Sequence, residues 1–215
     1  MARTITVKGV GKACVKPDQV EIRMTLESMD KTYEAAMALA ARRIDQMEQA
    51  LVKAGFAAGS LKTTRFDIRA EYESVKDKNH NYVRVFQGYA CNHALKLAFD
   101  FDTEHLAAAL GAVAASRVDP MLYIDFTVKN PAAVNEMILQ DAAENARQKA
   151  QLLCAASGVK LGELVRIDYN WGEVAYISST KFTVDDCVAD CAPDIRMDPD
   201  DIEAGDTVTF VWEID

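Results

Sequence analysis

Between Tyr82 and Phe101, the apolar residues Val83, Val85, Tyr89, Cys91, Leu95, Leu97, Phe99 and Phe101 all fall on one parity. Period-two patterning of this kind marks a β-strand with one buried face. A straight strand over the whole run would be about 66 Å long, several times the usual length. The run is therefore expected to bend or bulge near Gly88 or Asn92, so that one strand serves two parts of a sheet. Thr64, Phe66, Ile68, Ala70 and Tyr72 form the apolar face of the preceding strand. The polar run Lys76-Asp77-Lys78-Asn79-His80-Asn81 reads as the hairpin loop that joins the two.

The other segments alternate between the two periodicities. Ile5, Val7, Gly9, Gly11, Ala13 and Val15 share one face of an opening strand, and the two glycines leave gaps where another element can approach closely. Pro17-Asp18 is a turn signal. Val20, Ile22, Met24 and Leu26 then alternate with charged or polar residues, which predicts a second strand and a hairpin with the first. Tyr33, Met37, Ala40, Ile44, Met47 and Leu51 recur at helical spacing, predicting a helix over 31–54 with Asp30 as its cap and Gly55 as its stop. An Ala-rich helix over 104–116 is expected to be capped by Thr103. A longer one starts at Asn130-Pro131 and ends at Gly158, with Ala142, Ala146, Ala150 and Cys154 on one face. Leu122, Ile124, Phe126 and Val128 mark a strand between these two helices. Val165, Ile167 and Tyr169 mark another, and Val208, Phe210, Trp212 and Ile214 mark the last.

The predicted class is α+β: a mixed, mainly antiparallel sheet with two long helices and one short one, in the order ββαββ-αβαβ-loop-β. No linker rich in Gly, Pro or Ser divides the chain. Residues 1–215 read as one domain, or as two subdomains meeting near 101–103, with an acidic loop over 172–206.

Charge places that loop more sharply. The 215-residue chain has 24 Lys and Arg against 33 Asp and Glu, a net charge of −9. Nine of the acids (Asp185, Asp186, Asp190, Asp194, Asp198, Asp200, Asp201, Glu203 and Asp206) lie within 185–206 with a single base, Arg196, which leaves the rest of the chain nearly neutral. An acidic balance argues against nucleic-acid binding and against docking on an anionic membrane. No window approaches the roughly eighteen consecutive apolar residues of a membrane span. The opening residues contain no apolar leader segment, and the five cysteines are odd in number and mostly far apart. Together these features predict a cytoplasmic protein.

No motif supplies a catalytic, cofactor-binding or metal-binding residue set. Gly9-Val10-Gly11-Lys12 resembles a fragment of a phosphate loop, but the glycine spacing is wrong, Ala13 follows the Lys, and the segment leads into a strand rather than a helix. His80, His93 and His105 stand in no ligand spacing with one another or with a cysteine. Cys187 and Cys191 are four apart among carboxylates, which raise thiol pKa values and oppose thiolate chemistry. An EF-hand register from Asp198 fails at Ile202 and Glu203. There is no G-x-S-x-G elbow, and the aromatic residues are not interleaved with bases. A metal- or redox-responsive loop at 185–206 and a small-molecule enzyme without a recognisable motif are the two alternatives left to a binding protein.

The ordered combination is more informative than any one motif. It runs from Ile5-Thr6-Val7-Lys8-Gly9-Val10-Gly11 and Val15-Lys16-Pro17-Asp18 through Ala54-Gly55-Phe56 and Leu61-Lys62-Thr63-Thr64-Arg65-Phe66. It continues with 141–150 (DAAENARQKA) and Ser157-Gly158-Val159-Lys160-Leu161-Gly162. This resembles the SIMPL-domain family over nearly the whole chain. The resemblance implies an α+β fold, no established enzyme activity and no cofactor. It also implies homo-oligomers or other protein partners, with bacterial periplasmic, stress-related and kinase-associated signalling relatives. No catalytic residues come with it. Gly9, Gly11, Pro17 and Asp18 match as structural positions. The chain departs from the family in its opening residues, since many bacterial relatives begin with a signal peptide, and in its acidic, Cys-containing segment before the last strand.

Overall fold

A computed structural model describes residues 3–76, 81–170, 172, 175–180, 182–183 and 198–215. The elements are β1 (Thr4–Val15), β2 (Gln19–Asp30), α1 (Tyr33–Lys53), β3 (Lys62–Lys76), β4 (Tyr82–Asp100) and α2 (Thr103–Ser116). They continue with β5 (Met121–Thr127), α3 (Pro131–Ala156), β6 (Leu161–Asp168), β7 (Phe182–Thr183) and β8 (Ile202–Ile214). The α+β class stands, but the strands form two sheets rather than one, ordered β1-β8-β6 and β3-β4-β2-β5-β7. The chain divides into two compact units. One comprises Met1–Asp18, Thr127–Ser179 and Pro199–Asp215, and the other Gln19–Phe126 and Thr180–Asp198. The expected joint near 101–103 falls inside the second unit, where Asp102 starts a helix that packs on α1. Among the described residues, no helix is long and apolar enough to cross a membrane.

In the first unit α3 lies across β1 and β8. Ala142, Ala146 and Ala150 are fully buried against Val7, Val208, Phe210 and Trp212. The two glycines of β1 make this approach possible. A Cβ on Gly9 would meet the Cβ of Ala146 at 2.8 Å, and one on Gly11 would meet the backbone nitrogen of Ala142 at the same distance. The expected β1–β2 hairpin is not formed. β1 pairs along its whole length with β8, from Thr4↔Glu213 to Val15↔Ile202, while β2 pairs with β4 in the other sheet. The second edge of β1 is taken by side chains of α3. Asn145 Oδ1 accepts from the Val10 N–H (3.1 Å), Asp141 Oδ2 accepts from the Lys12 N–H (2.8 Å), and Lys149 Nζ donates to the Lys8 carbonyl (3.4 Å). The Val10 and Lys12 N–H groups are thereby taken by the helix and not offered to β2.

The second unit has the strand and helix order β2-α1-β3-β4-α2-β5 with spatial order β3-β4-β2-β5, the split βαβ arrangement of ferredoxin-like folds. Val20, Ile22, Met24 and Leu26 of β2 occupy the centre of its core. Around them sit Leu95, Leu97 and Phe126 from neighbouring strands and Met47, Leu51 and Leu106 from the helices. All of these except Leu106 are residues that the period-two and helical patterns place on an apolar face.

Both earlier helix starts move by one or two residues. Thr32, not Asp30, caps α1: its Oγ1 accepts from the Ala35 N–H (3.3 Å), and Asp30 remains the last residue of β2. Asp102, not Thr103, caps α2, accepting from the Glu104 and His105 N–H groups at 2.7 and 3.0 Å. Those backbone donors, that of His105 first, hold the Asp102 carboxyl below the usual carboxylate range. Asn130 and Pro131 start α3 as expected.

Candidate functional site

The sequence candidates do not converge. Gly9 and Gly11 face the backbone of α3, so the space above them is filled by a helix and cannot cradle a phosphate. His80, Cys187, Cys191, Asp185, Asp186, Asp190, Asp194 and Arg196 lie outside the described residues. His93 Nε2 lies 2.8 Å from Thr63 Oγ1, and its ring is tilted against Phe66, while burial lowers its pKa. His105 belongs to the first turn of α2 beside Asp102 and Phe56. The described part of the acidic segment is dispersed. Asp200 accepts from Ser179 Oγ (3.0 Å), Asp201 lies beside Cys14, and Asp206 acts on the hydroxyl of Tyr169. Among the described residues, no three His, Cys, Asp or Glu side chains are grouped to hold a metal ion.

Cys14 sits in an open groove of about 530 Å³ lined by Lys12, Ala13, Glu203, Ala204 and Gly205. Its thiol lies 3.6 Å from Asp201 Oδ2. Local desolvation, the hydrogen bond to Asp201 and the charges of Asp201 and Glu203 all raise its pKa. A raised thiol pKa leaves less thiolate at a given pH, so the groove disfavours nucleophilic chemistry. In a Cys187→Ser/Cys191→Ser background, Cys14 is expected to react more slowly than free cysteine with a disulfide reagent at pH 8. Asp201→Asn is expected to speed the reaction, and an unchanged rate in that variant would remove the carboxylate from the explanation. Cys91 and Cys154 are buried thiols.

The feature that sequence reasoning missed is the outer half of the β3–β4 pair. β2 pairs β4 only from Tyr89 to Asp100, so Tyr82–Gly88 has β3 as its sole described strand partner. The register there is Tyr72↔Phe86, Glu73↔Val85, Ser74↔Arg84, Val75↔Val83 and Lys76↔Tyr82. A bulge between Glu71 and Tyr72, opposite Gln87 and Gly88, bends the ribbon as expected. Gly88 has φ +152° and passes against the Asp30 backbone, a conformation and a clearance that favour glycine. The extra residue also reverses the parity of β4. Val83 and Val85 therefore fall on the opposite face from Tyr89 and Cys91, contrary to the single-parity reading.

Both faces of this ribbon expose apolar side chains. One carries Tyr72, Phe86 and Tyr82, with Tyr72 and Phe86 edge to face at 5.6 Å, Arg84 over the Tyr72 ring and Lys76 over that of Tyr82. The other carries Val75, Val83 and Val85. Tyr82 is 70% exposed. An isolated two-stranded ribbon is marginal in water, and one with apolar groups on both faces is a surface that awaits cover. The legible signal was the density of Val and Tyr on both parities beyond Gly88. On β6, Leu164, Val165 and Ile167 are each about half exposed, on a strand interrupted by two register shifts.

A family model described as SIMPL, protein of unknown function (DUF541), matches residues 5–212. The chain is also similar to the 26 kDa periplasmic immunogenic proteins of Brucella abortus (strain S19), at 27% identity, and of Brucella melitensis biotype 1, at 26%. Each match covers 76% of this chain and 65% of the relative, so the chain spans less than two thirds of those proteins.

Proposed function

The chain belongs to the SIMPL family, and from that premise we propose that it is a non-enzymatic protein that associates with copies of itself and with other proteins through the β3–β4 ribbon. The observation that carries this reading is the ribbon's exposed Tyr72, Tyr82, Phe86, Val75, Val83 and Val85. Aromatic side chains supply large contact areas at small entropic cost, and they are enriched in protein interfaces. The raised pKa of Cys14 speaks against a thiolate nucleophile at that position. The relatives' printed names, which call those proteins periplasmic, support a place in the cell envelope rather than the cytoplasm.

Light scattering at micromolar concentration is expected to give a discrete assembly heavier than the 23.7 kDa chain. Tyr72→Ser/Phe86→Ser is expected to shift it towards the chain mass with the folded circular-dichroism spectrum retained and a modest fall in melting temperature, since the two residues are 47% and 39% exposed and outside the buried core. A wild-type protein that stays monomeric throughout, or a variant with unchanged mass, would refute the reading. Immunoblotting of osmotic-shock fractions from the native cell tests the location. Recovery with the cytoplasmic markers alone would count against the envelope.

A further inference from the structure

We propose that the free edge of β3 pairs antiparallel with β3 of a second copy, about a twofold axis at Ile68. This rests on the self-association reading above and adds to it a backbone contact on the Arg65–Glu71 stretch of β3, beside the exposed residues of the ribbon. β3 ends the order β3-β4-β2-β5-β7, so one of its edges is unpaired among the described strands. Proteins commonly blunt such edges with a short strand, a proline or an inward charge. β3 is 15 residues long, contains neither Pro nor Gly, and carries its lysines only at its two ends.

The charge pattern selects the partner. From Arg65 to Glu71 the strand is regular, with register shifts only outside that stretch. Arg65, Asp67, Arg69 and Glu71 lie on one face and alternate in sign, plus, minus, plus, minus. Read in the reverse direction, the pattern is its own complement. With Ile68 on the axis, Arg65 stands opposite Glu71 of the second copy and Asp67 opposite Arg69, each pair occurring twice by symmetry. Moving the axis to Asp67 places Arg65 against Arg69. Moving it to Arg69 places Asp67 against Glu71. Like charges directly opposite are unfavourable, so the neighbouring registers are disfavoured. An offset that mixes the parities would set this charged face against the apolar one.

The opposite face agrees with this register. Ile68 meets Ile68, and the bulky Phe66, 41% exposed in the single chain, meets the small Ala70. The arginines retain capacity for a second partner. Arg65 Nε is 3.1 Å from Asp67 Oδ1 and Arg69 pairs with Glu71, yet the two arginine side chains remain 77% and 58% exposed. A guanidinium has five N–H donors, of which these contacts use few.

Two variants test the pairing: Arg65→Glu/Arg69→Glu, which makes the face wholly acidic, and Asp67→Arg/Glu71→Arg, which makes it wholly basic. All four side chains are on the outer, charged face, so both variants are expected to fold, as checked by circular dichroism and melting temperature. In sedimentation velocity each variant alone is expected to self-associate about 100-fold more weakly than wild type, from several repulsive pairs acting together. An equimolar mixture is expected to recover the wild-type association as a one-to-one pairing of acidic with basic chains. If each variant alone assembles like wild type, the β3 assignment is overturned while self-association stands. If both are folded monomers and the mixture also stays monomeric, the twofold pairing is overturned and the edge is left to a different polypeptide. A monomeric wild type would overturn the self-association reading itself.

Discussion

Gly11→Ala is expected to destabilise the protein by about 3 kcal/mol or more, at or above the top of the roughly 1–3 kcal/mol that overpacking usually costs in a well-packed interior. The added Cβ would overlap the carbonyl oxygen of Ile138 and lie 2.8 Å from both the Ile138 carbonyl carbon and the Ala142 nitrogen. These are backbone atoms in the middle of α3 and cannot step aside as the end of a side chain can. The helix would have to lift from β1, loosening the packing of Ala142, Ala146 and Ala150 and the three polar contacts to the edge of β1. Urea denaturation followed by the fluorescence of the buried Trp212 measures the loss. Gly111→Ala in α2 is the control, because a Cβ there meets nothing within 4 Å. It should be neutral or stabilising by up to about 1 kcal/mol, since alanine is the better helix former. Equal stabilities for the two variants would contradict the close approach of α3.

The second large effect is Phe126→Ala, with an expected cost of about 3–5 kcal/mol. Phe126 is fully buried in the core of the second unit, and its ring meets Phe101 edge to face at 5.6 Å. Truncation removes the ring from the sheet side of that core and leaves a cavity that strands on either side cannot close. Phe126→Leu, which keeps most of the volume, is expected to cost roughly half as much or less. Chemical denaturation should show a lower midpoint with an unchanged slope. A loss below about 1 kcal/mol for the alanine variant would mean that the site collapses around the missing ring.

Much of the secondary structure was legible because it is written in local periodicity. The stripe ending in Met47 and Leu51, the alternation from Val20 to Leu26 and the alanines of α3 each place residues on a face, and those faces are the buried ones. The cap positions were less legible. Asp30 and Thr32, or Asp102 and Thr103, are equally able to accept from a helix N-terminus, and the choice depends on where the preceding strand lets go of the chain. The candidate site was least legible. Its signal lay in residues 72–86, but the side that each one faces depends on the bulge at Gly88, and no periodicity reading across that point can be right on both sides of it.

By itself the sequence determined the α+β class, the family, most of the helices and strands, and the residues of the core, because burial follows hydrophobic spacing along the chain. It also marked Gly9 and Gly11 of β1 as gaps where another element can approach closely. Only the tertiary structure decided that α3 fills this gap, that β8 rather than β2 pairs with β1, and that two sheets form. A strand's own residues state which face it buries. Its neighbour is settled by which edge remains open once the helices have packed, and that is a property of the whole folded chain.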